Sequence, residues 1–87
     1  MNYSVFLHPD VIKYLDFLED RERRGCYDSL KRSEEDPYTH RSGCDIKKLV
    51  GKKKTAYRLR IGDHRFLYVI KNKEVFVEEA FRRGGGY

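Results

Sequence analysis

The sequence has few cysteines and no long hydrophobic run. Its two cysteines, Cys26 and Cys44, match no metal-binding spacing and follow no export signal. We interpret them as free thiols in a reducing cytoplasm, with a structural disulfide as the alternative. No stretch of about 18 apolar residues occurs, so a membrane-spanning helix is not expected. The opening residues, MNYSVFLHPD, lack the basic start and apolar run of a signal peptide.

Charged and aromatic side chains are abundant instead. They make up 38% and 14% of the 87 residues, and the regular spacing of the apolar residues argues against a disordered chain. The length predicts one domain over residues 1–87.

The net charge of +5 is unevenly distributed. Residues 1–46 carry seven basic and ten acidic side chains, a net charge of −3, whereas residues 47–65 carry eight basic side chains and one Asp, a net charge of +7. One basic block of this kind indicates a polyanionic partner. Taken alone, Lys52, Lys53 and Lys54 are better explained as a solvated loop.

The hydrophobic pattern predicts an α+β fold with the order β-α-α-β-β-β-β. Alternation over residues 2–7 predicts a strand. A helix is expected to begin at Pro9, with an apolar face formed by Val11, Tyr14, Leu15 and Leu18 and widened by Ile12 and Phe17. A second helix is expected over about residues 20–35, before Pro37.

Four further strands are predicted at residues 46–50, 56–61, 64–71 and 74–81. Gly62-Asp63 and Asn72-Lys73 have the composition of two-residue hairpin turns. Because the strands are grouped after the helices, we predict a twisted antiparallel sheet with both helices packed on one face.

The stretch YRLRIGDHRF, residues 57–66, places arginines on one side of a predicted hairpin. Side chains alternate along a strand, so Leu59 faces the helices while Arg58 and Arg60 face away. A two-residue turn then sets Arg60 opposite Arg65, and such a like-charge pair costs a few tenths to about 1 kcal/mol. One interpretation is ordinary solvated surface, with Glu78 opposite Leu67 and paired with Arg65. The other is an anion site.

The tail after the last strand adds candidates to this surface. Arg82, Arg83 and Tyr87 follow that strand, and three glycines let the chain fold back closely. A tyrosine at the end of a basic tail can stack on a base. The alternative is a disordered terminal residue.

These motifs carry a family resemblance. The opening strand and helices, KKLVG at residues 47–51, YRLRIGDHRFLY at residues 57–68 and the ending RRGGGY resemble the RelE/ParE toxin superfamily, nearest its RelE branch. The resemblance covers nearly the whole chain and implies a RelE-like, microbial-RNase-like fold. It implies a cytoplasmic toxin that enters the ribosomal A site and cleaves mRNA without metal or other cofactor. The 2′-hydroxyl attacks the adjacent phosphate and leaves a 2′,3′-cyclic phosphate and a 5′-hydroxyl.

The implied partners are the ribosome, mRNA and a RelB-like protein antitoxin, and the toxin–antitoxin complex is expected to bind operator DNA through the antitoxin. The resemblance implies catalytic roles for Arg58, Arg60, Arg65, Arg83 and Tyr87. Arg65 matches the arginine that holds the scissile phosphate, and Tyr87 the tyrosine that stacks on the substrate base or assists the 2′-hydroxyl. The candidate RNA-binding residues are Lys47, Lys48, Lys52, Lys53, Lys54 and Arg82.

Two alternatives stay open at the level of sequence. One is a ParE-like inhibitor of DNA gyrase, and the other is a non-catalytic RNA-binding relative. The second is kept because arginine stays protonated and is a poor general base, so the arginine face supplies no obvious base. The sequence also leaves open whether Arg82 or Arg83 is the functional arginine of the tail.

Overall fold

The computed structural model describes residues 2–39, 45–51 and 55–84. The elements, in chain order, are β1 Ser4–Leu7, α1 Pro9–Asp16, α2 Asp20–Arg32, β2 Asp45–Val50, β3 Thr55–Ile61, β4 His64–Lys71 and β5 Glu74–Arg82. The α+β class and the predicted order of elements are confirmed. The predictions for Cys44, Tyr87 and the lysines of residues 52–54 lie outside the described residues.

The five strands form one sheet in the order β1-β5-β4-β3-β2. The four strands from β2 to β5 pair antiparallel, as predicted. Strand β1 lies parallel to β5, with Ser4 opposite Glu74, so the sheet is mixed. The sequence held no local signal for this pairing, because the partner strand lies at the other end of the chain.

Helix α1 begins with a side-chain cap. The Nδ1 atom of His8 accepts a hydrogen bond of 3.0 Å from the backbone N–H of Asp10, and Pro9 fills a first-turn position that needs no backbone donor. Val11 and Leu15 are fully buried. The prediction that Phe17 widens this apolar face is wrong, because α1 ends at Asp16 and leaves the Phe17 side chain 90% exposed.

Helix α2 ends at Arg32, earlier than predicted. The chain turns instead at Asp36, whose carboxylate accepts hydrogen bonds from the backbone N–H groups of Tyr38 and Thr39 at 2.9 and 3.1 Å. This arrangement satisfies the loop backbone locally. The hydroxyl of Tyr68 then donates to the carbonyl of Pro37 at 2.6 Å and attaches the loop to the sheet.

One hydrophobic cluster joins the helices to one face of the sheet. Its buried members are Val11, Leu15, Leu18, Cys26 and Leu30 from the helical segment and Leu59, Phe66, Tyr68, Val75 and Val77 from the strands. The other side of the sheet, which we call the open face, carries no helix among the described residues. Neither described helix is long and apolar enough to span a membrane.

The β3–β4 hairpin has the predicted register. Leu59 lies opposite Phe66, Arg60 opposite Arg65 and Ile61 opposite His64. Gly62 takes a φ of 58° in the connecting turn, which a glycine adopts without steric cost.

The β4–β5 hairpin departs from the prediction at a bulge. Tyr68 lies opposite Val77 but Leu67 lies opposite Glu79, so Glu78 is the extra residue. The predicted pairing of Leu67 with Glu78 is therefore wrong, and Arg65 lies opposite Phe81. The physical reason is burial, because the shift turns Ala80 rather than Glu79 toward the core.

Candidate functional site

Arginines gather on the open face at the end of the sheet formed by the β3–β4 turn. Alternation along β3 directs Arg58 and Arg60 away from the core, while Leu59 between them is fully buried. The antiparallel register brings Arg65 of β4 directly opposite Arg60. Two neighbouring strands thus supply three guanidinium groups, as the sequence predicted.

A carboxylate that the sequence analysis missed lies among these arginines. Asp45 begins β2 and pairs with Arg60 in the ladder. Its Oδ2 atom is 3.5 Å from Nη2 of Arg58 and 3.5 Å from Nη2 of Arg60. Asp45 is therefore a carboxylate that two of the arginines share. The antiparallel register that starts at the Val50–Thr55 pair leads, one residue at a time, to the pairing of Asp45 with Arg60. Following this register would have located the carboxylate.

Arg65 is tied to the turn that precedes it. Its Nη1 atom donates to the carbonyl oxygens of Gly62 at 3.0 Å and of His64 at 3.4 Å. The pKa of its guanidinium is lowered from the usual value, first by burial and then by repulsion from Arg60, Arg58 and Arg83, while Asp63 acts in the opposite direction. The charges of the cluster therefore act on one another.

The two arginines at the end of β5 lie on different sides of the sheet. The backbone N–H of Arg83 donates to the carbonyl of Asp63 at 2.7 Å, and its charge is one of those that lower the pKa of Arg65. Arg82 lies opposite His64, on the side that faces the helices. Of the two tail arginines, the structure brings Arg83 to the cluster.

The two described lysines of the basic block also lie on different sides. Lys47 pairs with Arg58 and shares the open face, whereas Lys48 pairs with Tyr57 on the helix-facing side. Both side chains are exposed. We use the name arginine cluster for Arg58, Arg60, Arg65 and Arg83.

The arginine cluster has unused hydrogen-bonding capacity. The Nε atom of Arg58 is buried and has no hydrogen-bond partner among the described residues. Leaving a buried donor unpaired costs about 1–3 kcal/mol. Guanidinium groups bind phosphate oxygens with two parallel hydrogen bonds, so the chemistry of the cluster suits a phosphate-containing ligand. No group of three or more His, Cys, Asp and Glu side chains in residues 2–39, 45–51 and 55–84 is arranged to hold a metal ion.

Comparison with known proteins identifies the architecture. No protein-family model and no curated protein sequence matches the chain. Among solved structures, one chain of the archaeal RelE–RelB complex from Pyrococcus horikoshii OT3 matches with a TM-score of 0.86 and 28% sequence identity, over 99% of this chain and 100% of that chain. The chain has a RelE-like fold.

A second match shows how far the RelE-like fold extends at low identity. One chain of the RelB–RelE antitoxin–toxin complex from Methanococcus jannaschii matches with a TM-score of 0.69 and 16% identity, over 88% of each chain. At that identity the likeness concerns the fold alone. The resemblance to the RelE branch stated from the motifs is confirmed by the first of these two matches.

Proposed function

We propose that this chain is the toxin of a toxin–antitoxin system and a metal-independent endoribonuclease that cleaves mRNA in the ribosomal A site, in the cytoplasm. The observation that carries the proposal is the arginine cluster, which gathers four guanidinium groups at one end of the open face. The similarity to a chain of a RelE–RelB complex over nearly the full length supports the toxin class.

The proposed reaction builds up negative charge. The 2′-hydroxyl of the substrate loses its proton to solvent and its oxygen attacks the adjacent phosphorus. A P–O2′ bond forms, the P–O5′ bond breaks, and the leaving 5′-oxygen takes up a proton from solvent. The phosphoryl group gains charge in the transition state, and cations placed where this charge develops lower the barrier. Arg65 and Arg83 are proposed to hold the scissile phosphate, with Arg58 and Arg60 stabilising the developing charge. Tyr87 is proposed to stack on the substrate base.

Mutual repulsion among its arginines favours the binding of phosphate to the cluster. Arg60 lies directly opposite Arg65, and like charges in that relation cost up to about 1 kcal/mol. Asp45 offsets part of this cost through its two ion pairs. A bound phosphate would convert the remaining repulsion into attraction and would offer the Arg58 guanidinium new acceptors.

A RelB-like antitoxin is the proposed protein partner. The block of net charge +7 over residues 47–65 and the arginine cluster favour an antitoxin segment that presents acidic side chains and an amphipathic helix. Such a segment would mask the surface that RNA needs. The complex is then proposed to bind operator DNA through the antitoxin.

The experiment is a cleavage assay with purified protein and ribosomes that carry a defined mRNA codon in the A site. The double variant Arg65→Ala/Arg83→Ala removes two cluster cations, and we expect cleavage to slow by about 10²–10³-fold, the size found when a preorganised charge-stabilising group is lost. The matched control is Arg24→Ala/Arg32→Ala, which changes the net charge equally at two exposed positions of α2. It should cleave like the unmodified protein.

Three results would contradict the proposal. Cleavage that persists in the Arg65→Ala/Arg83→Ala variant would show that the arginine cluster takes no part in the reaction. Inhibition of gyrase supercoiling without mRNA cleavage would instead favour the ParE-like function. Salt-sensitive RNA binding without a cut product would identify a non-catalytic relative.

A further inference from the structure

A buried histidine joins three elements behind the arginine cluster. The His64 side chain belongs to a residue that is only 5% exposed. Its Nδ1 atom lies 2.6 Å from the hydroxyl of Tyr14 on α1, and its Nε2 atom lies 2.7 Å from Oε2 of Glu22 on α2. The Tyr14 ring also packs edge-on against the imidazole, with centroids 5.6 Å apart.

The Nε2 atom of His64 donates to Glu22, because an ionised carboxylate can only accept. The Nδ1 atom shares the second hydrogen bond with the Tyr14 hydroxyl. Both distances are at the short end of the usual range.

His64 is also the residue that directly follows the β3–β4 turn. The same turn supplies the acceptors that fix two members of the arginine cluster. The Nη1 atom of Arg65 donates to the carbonyl of Gly62 at 3.0 Å. The backbone N–H of Arg83 donates to the carbonyl of Asp63 at 2.7 Å. Any displacement of the turn is therefore transmitted to both arginines.

A surface pocket of about 220 Å³ lies between this turn and α2. It is lined by Arg21, Glu22 and Cys26 from the helix and by Gly62, Asp63 and His64 from the turn. Beside this pocket, the hydrogen bonds of His64 to Glu22 and Tyr14 attach the turn to both helices.

We propose that Tyr14, His64 and Glu22 form a positioning element that holds the β3–β4 turn, and with it Arg65 and Arg83, in the geometry that activates the scissile phosphate. The inference builds on the proposed function and adds residues to it that touch no substrate. Its physical basis is preorganisation, because a displacement of about 1 Å of a positioned group can cost about 10²-fold in rate.

The test uses Glu22→Gln, which weakens one hydrogen bond of His64, and Tyr14→Phe, which removes the other, each without a large change in shape. The matched control is Asp20→Asn, which makes the same change from acid to amide on α2 at the exposed ion pair with Arg23. His64→Gln is a third variant, used only if it folds.

The first measurement is hydrogen exchange of the Arg83 amide, compared with the amides that pair β1 with β5. We expect the Arg83 amide to exchange about 3–10-fold faster in Glu22→Gln and Tyr14→Phe, the size of a lost charge-assisted or neutral hydrogen bond. The β1–β5 amides, and all amides of Asp20→Asn, should be unchanged. Unchanged exchange of Arg83, or equal acceleration of every amide, would overturn the proposal.

The second measurement is single-turnover mRNA cleavage on ribosomes. We expect the maximal rate to fall by about 10-fold or more in Glu22→Gln and Tyr14→Phe, with the half-saturating ribosome concentration changed by less than about 2-fold. A weaker half-saturation with an unchanged maximal rate would overturn a positioning role. If the unmodified protein cleaves no mRNA, the proposed function fails, and the exchange measurement still decides whether the element positions the turn.

Discussion

At the scale of single residues, Asp45 has two opposing effects on the arginine cluster. Its carboxylate lies 3.5 Å from both Arg58 and Arg60, so it reduces the repulsion among the arginines and supports the folded hairpin. The same negative charge repels an incoming phosphate. RNA binding therefore requires the arginines to exchange one anionic partner for another.

We expect Asp45→Asn to bind RNA more tightly. Removing one negative charge from the cluster should raise the affinity for a short single-stranded RNA by about 2–5-fold at about 0.1 M salt, the free energy of a partly exposed ion pair. Fluorescence anisotropy measures the change. Asp28→Asn is the control, since Asp28 is an exposed residue of α2 and its loss should leave affinity unaltered. Weaker binding by Asp45→Asn would show that the carboxylate helps to hold the arginines in a binding geometry.

Cys26 is the second residue whose surroundings alter its chemistry. It is 1% exposed within the core. Burial, and then the nearby charge of Glu22, raise the pKa of the thiol to about 11. In the unfolded chain the thiol ionises near its ordinary pKa of about 8.5. The folded protein therefore keeps a proton that the unfolded chain releases at high pH.

The sign of this difference predicts a loss of stability at alkaline pH. The contribution of Cys26 is fully present below about pH 8.5 and is lost as the pH rises toward 11, which amounts to about 3 kcal/mol in the free energy of unfolding. Urea unfolding is measured from pH 8 to pH 11 for the unmodified protein and for Cys26→Ala. Comparing the two isolates Cys26, because both proteins carry the same tyrosines, and the two free-energy curves should converge by about 3 kcal/mol. Parallel curves would disprove the assignment.

At the scale of elements, the two hairpin turns differ in how well their residues suit the backbone. Gly62 occupies the left-handed position of the β3–β4 turn, with a φ of 58°. In the β4–β5 turn both Asn72 and Lys73 have positive φ values, 52° and 66°. Asparagine tolerates this region, but lysine is strained there.

Lys73→Gly should stabilise the protein. Glycine at the second position completes the Asn-Gly pair that two-residue hairpins favour, and we expect a gain of about 0.5–1 kcal/mol, or roughly 2–6 °C in Tm. Lys71→Gly is the matched control, because Lys71 lies in the extended strand opposite Glu74 and a glycine there should cost a similar amount. Differential scanning calorimetry distinguishes the two. Equal destabilisation by both variants would contradict a strained turn.

At the scale of the whole molecule, the sheet separates two kinds of surface. One face is covered by the helices and holds the hydrophobic cluster. The open face gathers positive charge from β3, β4 and the end of β5 at one end of the sheet. The hydrophobic cluster therefore provides a rigid support, and the arginine cluster can stay close together although its members repel one another.

The sequence by itself determined the features that depend on neighbouring residues. Periodicity gave the order of the elements, and the Gly62-Asp63 turn fixed the register that places Arg60 opposite Arg65. Side chains alternate along a strand with a period of two, and a two-residue turn allows one register between the two strands that it joins. These relations therefore follow without knowledge of the rest of the chain.

Only the tertiary structure decided the relations between distant segments. It placed β1 parallel to β5, moved Glu78 into a bulge, brought Asp45 to the arginines and selected Arg83 over Arg82 as the neighbour of Arg65. It also joined Tyr14 and Glu22 to His64. Each of these relations joins segments that lie apart in the chain or depends on burial against the helices, and no short stretch of sequence contains that information.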